Sequence, residues 1–515
     1  MAPEEETISD RGAAARVLAT AGLMLATVMQ TLDTTIANVA LPHMQGSVSA
    51  SQDQTTWVLT SYIVGAAVMT PLSGWLSHKI GRKALLLISV AGFISISILC
   101  GLATNLPELV LFRFLQGMSG AALLPLTQAT LYDMWPMRLI PRVVALYSAA
   151  VMVGPIFGPI IGGFLTEQFS WRWVFYINLP IGAVSFAAVL LGMPRDEGGQ
   201  QRRFDLLGFA AVVVGSVGLQ LMLDRGPGED WFDSREICIW ATSAACAFYV
   251  FVAHMATARN PLFRTSLFRD WNYLSGLAFL VVVQATLFST LAVIPTLMQT
   301  LLGYSALQSG LAVMPRGVGS LLGFGAAPWL AARFGPRRTV AVGVLLAAFA
   351  LYEMARFDLS MTVDGIRFTG FLQGFSQGLM FNPISVLSFA NLAPAIRVDA
   401  SVFSNMIRSL GMSVGIALLQ SQILRYNAVA HERLAAGVAA SDPMVRSTLP
   451  GASGWGAEAL AAVNAEVTRQ ASMMSYDTIF AWMSLGTLLL LPLLVVMRQP
   501  GVRREPLQEI HADQA

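Results

Sequence analysis

The sequence predicts an all-α integral membrane protein of fourteen transmembrane helices: two six-helix bundles plus two inserted helices. Three observations carry this. Of 515 residues, 55% are hydrophobic and only 12% charged, against about 25% charged in soluble domains. Apolar runs of about 18 to 25 residues recur along the whole chain, each long enough for a ~30 Å hydrocarbon core. Finally, two short stretches repeat half a chain apart. GWLSHKIGRK at 74–83 returns as PWLAARFGPR at 328–337, and Phe114-Leu115-Gln116-Gly117 returns as Phe371-Leu372-Gln373-Gly374, at offsets of 254 and 257 residues. A shared offset points to two homologous halves in parallel, as in one large class of secondary transporters.

The apolar segments lie approximately at 17–41, 55–77, 84–103, 107–131, 143–166, 174–192, 206–223, 236–257, 272–301, 307–331, 339–356, 365–390, 400–424 and 476–498. An even number puts both termini on one side. The connections on that side, termini included, hold 20 Lys and Arg, against 7 in the opposite loops, so the positive-inside rule makes that side the cytoplasm. The repeats pair the second segment with the tenth and the fourth with the twelfth, a shift of eight rather than six. Two helices are therefore inserted, and the seventh and eighth are the candidates. The resulting divisions are a cytoplasmic N-terminus (1–16), an N-terminal bundle (17–192), the inserted pair with its linkers (193–271), a C-terminal bundle (272–498) and a cytoplasmic tail (499–515). A loop of about fifty residues, 425–475, interrupts the last bundle on the periplasmic side; loops this long are usually functional or disordered. Its alanine-rich stretch 455–472 reads as an amphipathic helix or a flexible cover. The acidic, polar N-terminus gives no sign of a cleavable signal peptide.

Ionisable side chains in a bilayer interior cost at least a few kcal/mol, so each is a functional hypothesis. Asp33 lies about eight residues before the periplasmic end of the first segment, roughly 12 Å deep, and Arg113 lies roughly 9 Å deep in the fourth. The matching depths predict a direct or water-bridged pair, either a proton carrier whose carboxylate Arg113 holds ionised or a permanent structural ion pair. Arg316 and Arg408 are similarly deep and lack an obvious acid; with Asn405, and with Gln30 and Thr34 beside Asp33, they are candidates for a substrate cavity. Glu353 and Arg356 lie near a segment end and should snorkel. In the fifth segment Gly154, Gly158, Pro159, Gly162 and Gly163 combine close helix approach with a kink-prone proline, which suits a hinge or a tight interface.

Other chemistries find little support. There is no basic stripe with interleaved aromatics for nucleic acid, and the five histidines lack metal-ligand spacing. No phosphate-cradling glycine loop ending in Lys and Ser or Thr is present, which argues against ATP drive. Cys100, Cys238 and Cys246 fall in apolar segments and read as small core residues.

Together these residues resemble the major facilitator superfamily, and within it the fourteen-helix drug:proton antiporters of the EmrB type. LDTTIANVALP (32–42) is similar to that subfamily's first-helix motif, and GWLSHKIGRK (74–83, with Gly74, Gly81 and Arg82) to the superfamily loop motif. Arg113 to Gly117 resembles the fourth-helix motif, and Gly154 to Gly163 the antiporter motif. WRWVFYINLPIG (171–182), LQLMLDRGPGEDWF (219–232) and SNMIRSLGMSVGIAL (404–418) narrow the resemblance to the subfamily.

The resemblance implies proton-coupled export of small lipophilic compounds across a bacterial inner membrane by alternating access. Asp33 would be the proton site, Arg113 its modulator, and the fifth-segment glycines a hinge. No cofactor is implied beyond the proton gradient. A periplasmic adaptor of the membrane-fusion type and an outer-membrane channel would be partners, with the 425–475 loop facing the adaptor. His78 stands where the loop motif usually has an aspartate, so its charge contact is missing or rebuilt. A dedicated exporter of one metabolite or siderophore would share every motif, and a non-transporting membrane sensor is the reading from another class.

Overall fold

The computed structural model describes residues 10–47, 52–194, 204–258, 260–437 and 457–497. The helices are α1 (Asp10–Ser47), α2 (Gln52–Ile80), α3 (Arg82–Leu102), α4 (Leu106–Gly120), α5 (Leu123–Met134), α6 (Ile140–Gln168), α7 (Trp173–Tyr176), α8 (Asn178–Gly192), α9 (Leu206–Arg225), α10 (Arg235–Thr257), α11 (Trp271–Thr300), α12 (Ala306–Phe334), α13 (Pro336–Met354), α14 (Val363–Phe389), α15 (Pro394–Gly437), α16 (Ala457–Leu488) and α17 (Leu491–Val496). Three pairs, α4/α5, α7/α8 and α16/α17, each follow one line broken by a residue or two, so the described residues form fourteen rods. Eleven rods are long and apolar enough to cross a membrane. The others are α12, α13 and α14. Glycines and Arg316 lower the hydropathy of α12, and Arg337, Arg338 and Glu353 cap α13 with charge. In α14 the polar residues Gln373, Ser376, Gln377 and Asn382 are all buried, so protein rather than lipid surrounds this central helix.

The duplication is written into the backbone. Gly81 precedes α3 and Gly335 precedes α13, both at φ 88°, a conformation that side-chain-bearing residues rarely adopt. They are 254 residues apart. The same relation governs helix seams. A Cβ added to Gly117 of α4 would lie 2.1 Å from the Tyr62 carbonyl oxygen of α2, and one added to Gly374 of α14 would lie 1.9 Å from that of Arg316 on α12. Small residues thus let backbones touch where hydrophobicity supplies no drive between helices.

In the first bundle α1 packs against α6 and α8, and α2 against α4. In the second, α12 and α13 pack on α14, and α11 on α15. The pair α9 and α10 sits at the margin: α9 touches α2 and α15, while α10 packs mainly on α9. The outer surface of α10 exposes Ile239, Tyr249 and Val252. This corrects the reading of the cysteines as core residues. Cys100 is buried, but Cys246 is exposed and Cys238 half-exposed on α10.

In the segment 425–475 the helix expected within 455–472 is present from Ala457, while the expected loop around it is corrected. α15 has 44 residues, about 66 Å at 1.5 Å per residue, twice what a bilayer core needs. With the start of α16 it forms an antiparallel helical extension, pinned by Asn427 donating to Ser472 (2.9 Å) and by His431 beside Asn464 (3.0 Å). Most of the expected loop is therefore helix; 438–456 lies outside the described residues. An even number of rods traversed back and forth brings the described ends, Asp10 and Met497, to one face, called here the terminal face.

On α6 the helix continues through Pro155 and Pro159. A Cβ at Gly154 would lie 2.1 Å from the Thr31 carbonyl oxygen, and one at Gly158 2.2 Å from Thr35 Oγ1, whose hydroxyl donates to the Gly154 carbonyl at 2.9 Å. Gly162 is buried, whereas Gly163 meets nothing within 4 Å. Gly154→Val should therefore lower stability by about 1–3 kcal/mol through overpacking, and Gly163→Ala should leave it unchanged. Thermal unfolding of the detergent-purified variants checks this.

Candidate functional site

Asp33 of α1 is fully buried and Arg113 of α4 nearly so. Arg113 Nη1 donates to Asp33 Oδ2 at 2.7 Å. Two amides complete the shell of the carboxylate: Gln116 Nε2 donates to Oδ1 at 3.0 Å, and Asn178 Nδ2 at 2.8 Å. The guanidinium is held in turn. Its Nη1 also donates to Gln116 Oε1 (2.8 Å), its Nε to the Val58 carbonyl (3.3 Å), and it stacks 4.5 Å from the Tyr62 ring centre. Asn178 further donates to Ser97 Oγ, whose hydroxyl donates to the Phe175 carbonyl. The predicted pair is thus direct and dry. Five helices supply it, because α1, α2, α3, α4 and α8 meet here. Gln30 is buried one turn before Asp33, and the Thr34 hydroxyl turns back to the Thr31 carbonyl of its own helix.

The second bundle repeats the framework without the acid. Thr290 stands 257 residues after Asp33, and Gln373 donates to Thr290 Oγ1 at 3.1 Å, as Gln116 does to Asp33. Gly370 occupies the Arg113 position, and Arg316 stands 254 residues after Tyr62. A guanidinium fills the corresponding space from a different helix: Arg316 Nη2 donates to Thr290 Oγ1 (2.6 Å) and to the Leu287 carbonyl (3.1 Å).

Asn405 and Arg408 come together, Arg408 donating to Asn405 Oδ1, while Arg316 lies apart from them inside its own bundle. Asn405 and Ser401 of α15 reach Gln128 of α5 at 3.4 and 3.0 Å. Toward the terminal face, Asp133 joins Arg82 (2.5 Å) to Arg397 (2.7 Å) across the bundles. His78 Nε2 lies 3.5 Å from Asp399 Oδ1, and a Cβ added to Gly74 would meet that carboxylate in ordinary contact at 3.6 Å. An acid of the opposite bundle thus stands beside His78, at ion-pair distance but without a hydrogen bond from Nε2. Farther in, Asn382 donates to the Pro141 carbonyl at 3.2 Å. Most of these contacts use residues within about two turns of the ends of α2, α5 and α14 or of the starts of α6 and α15. Arg356 and Glu353 pair at the α13 end, 3.7 Å apart, with Arg356 exposed.

Sequence reading missed Gln116 and Asn178 as carboxylate ligands, and Asp133 and Asp399 as latch residues. Gln116 carried a signal, since it sits in the repeated Phe-Leu-Gln-Gly. Breaking a buried pair by removing one partner costs about 3–5 kcal/mol. Asp33→Asn and Arg113→Gln should each destabilise on that scale, and the double variant should lose much less than the sum. Thermal unfolding of the four proteins measures the coupling.

Residues 23–416 match the family model described as Major Facilitator Superfamily. The chain is 34% identical to the Multidrug export protein EmrB of Escherichia coli K12, over 94% of this chain and 95% of that protein. It is 33% identical to the Fatty acid resistance protein FarB of Neisseria gonorrhoeae, over 95% of this chain and 97% of that protein. Its fold is similar to that of the human organic anion transporter MFSD10, with a TM-score of 0.60 at 15% identity, covering 94% and 99% of the two chains. The chain belongs to the Major Facilitator Superfamily and, within it, to the EmrB-type group.

Proposed function

We propose that this protein exports small lipophilic compounds in exchange for protons by alternating access, in a bacterial inner membrane with both termini in the cytoplasm. It is a carrier rather than an enzyme, and the proton gradient is its only energy source. The observation that carries this is the buried Asp33 carboxylate with three donors. In the state described, Arg113, Gln116 and Asn178 all donate to it, so both of its oxygens are partnered and its counter-charge is in place. Drawing Arg113 aside would remove the counter-charge at 2.7 Å, and a proton bound to Asp33 would take its place. Proton uptake and the position of α4 against α1 are thereby linked.

The inter-bundle network supplies the gate. With the terminal face cytoplasmic, the Arg82–Asp133–Arg397 bridge and the His78–Asp399 contact close the cytoplasmic side. Substrate would lie between the bundles near Gln128, Asn405 and Arg408. The relative EmrB is named a multidrug export protein, and EmrY of Escherichia coli K12, 34% identical, a probable multidrug resistance protein, which favours broad over dedicated export here.

The helical extension of α15 and α16 would face a periplasmic adaptor of the membrane-fusion type, leading to an outer-membrane channel. Deleting 430–470 should abolish resistance in cells while leaving transport in proteoliposomes; loss of both would assign the extension to folding or gating. In proteoliposomes carrying a pH gradient, lipophilic compounds should discharge the gradient through the parent protein and fail to do so through Asp33→Asn that is monodisperse after purification. A response in the variant equal to the parent would move proton coupling to another residue. Response to a single compound class would indicate a dedicated exporter.

A further inference from the structure

The inserted helices α9 and α10 form one body. A Cβ added to Gly218 of α9 would lie 3.1 Å from the Trp240 carbonyl oxygen of α10, and one added to Gly215 3.0 Å from the Phe248 ring. Arg225 at the end of α9 donates to Glu236 near the start of α10. At the other end Asp205 caps α9 by accepting from the Gly208 amide at 2.9 Å, and it meets His254 of α10 at 2.8 Å. This body touches both bundles, through contacts of two kinds.

The contacts with the second bundle are buried. On the terminal side, Asp205 also accepts from the Leu262 amide of the linker to α11, at 2.9 Å. Phe251 of α10, Phe263 of the linker and Phe403 of α15 form a run of buried rings with centres 6.3 and 5.1 Å apart. Toward the opposite face, Ser413 of α15 donates to Gln220 of α9 at 2.7 Å, and both side chains are buried. Parting them would strand two polar groups away from water. The contacts with the first bundle are open by comparison. Thr60 of α2 donates to Asp224 Oδ2 in the last turn of α9, where the aspartate is exposed. On the terminal side the half-buried rings of Phe204 and Trp75 meet at 4.9 Å. Water can satisfy Thr60 and Asp224 when they separate, and two tilted rings can slide.

α2 and α15 face each other across the bundles, with His78 beside Asp399 near the terminal face. Gln220 and Asp224, four residues and so one turn apart on α9, reach α15 and α2 respectively at the opposite face. A rocking motion that closes the opposite face changes the distance between α2 and α15 there, so one of the two hydrogen bonds must give. We propose that the inserted pair is a side wall carried by the second bundle, and that the Thr60–Asp224 contact is a latch made while the cavity opens to the opposite face and released when it closes. The proposal rests on the alternating-access reading above. With the latch made, α9 seals the gap between α2 and α15 against lipid, so that a lipophilic compound leaves toward water rather than sideways into the bilayer.

The test uses the full-length protein in proteoliposomes carrying a pH gradient, with Cys238 and Cys246 replaced by serine and the buried Cys100 retained. Two cysteine pairs are compared, Thr60→Cys with Asp224→Cys and Gln220→Cys with Ser413→Cys. Each is joined by a short bis-methanethiosulfonate linker, which reduction releases, and mass spectrometry reads how completely it is joined. Joining 60 to 224 should slow discharge of the gradient by lipophilic compounds at least about tenfold, because a trapped conformational step limits turnover, and joining 220 to 413 should leave the rate within about twofold. Reduction should restore the first pair. Spin labels on the same positions give a readout that does not need transport. The 60 and 224 labels should show two distances whose proportions change when a compound is added, and the 220 and 413 labels one distance throughout. Continued discharge with 60 joined to 224, or one unchanging distance between them, would overturn the proposal. Arrest on joining 220 to 413 would also overturn it, since the pair would then ride on the first bundle or brace both. No discharge by any compound through the unlinked protein would count against the export reading itself.

Discussion

Asp33 and Arg113 face one another 2.7 Å apart in a region that water does not reach, and the first bundle is organised around keeping them satisfied. Two opposite charges in a low-dielectric interior repay their desolvation only when geometry is good and the remaining hydrogen-bonding capacity is filled. Gln116, Asn178, Ser97 and the Val58 carbonyl fill it here. The Tyr62 ring closes over the guanidinium. These ligands come from different helices, so the charge state of one carboxylate is tied to how α1, α2, α3, α4 and α8 lie against each other. That is the physical requirement for coupling a proton to a conformational change.

The backbone framework is duplicated and the chemistry is not. Glycine seams and the turn glycines Gly81 and Gly335 recur at the repeat offset, because close helix approach and a positive φ depend on the absence of a side chain. The side chains that meet in the middle differ: Asp33 is matched by Thr290, Arg113 by Gly370 and Tyr62 by Arg316. One bundle is locally neutral and the other carries net positive charge. The latch on the terminal face is also asymmetric, since Asp133 holds cations from both bundles and Asp399 reaches across to His78.

Much of this was legible beforehand. The fourteen rods followed from apolar length, and Asp33 and Arg113 stood out because a charge in an apolar run has no inexpensive explanation. Gln116 and Asn178 did not stand out, since a neutral amide in such a run costs too little to be conspicuous. Asp399 lies beside Arg397 at the start of α15, where a charge reads as an ordinary loop residue; only the fold brings it to His78. The 425–475 region was taken for a loop because its polar residues end the apolar run, yet a helix outside the bilayer needs no such run. Cys246 was misplaced for a related reason. Inside a membrane an apolar residue faces lipid as readily as core, so hydropathy alone cannot assign its side.

The coupling mechanism stands or falls on whether Asp33 exchanges its proton during the cycle. Infrared difference spectroscopy of the reconstituted protein, with and without a transported compound, reads this from the carbonyl stretch of a protonated carboxylic acid. Coupling through Asp33 predicts such a band at acid pH, its loss when the compound is added, and its absence throughout in Asp33→Asn. A spectrum in which no band depends on Asp33, at any pH or with any compound, would make the Asp33–Arg113 pair a permanent structural tie and contradict the mechanism.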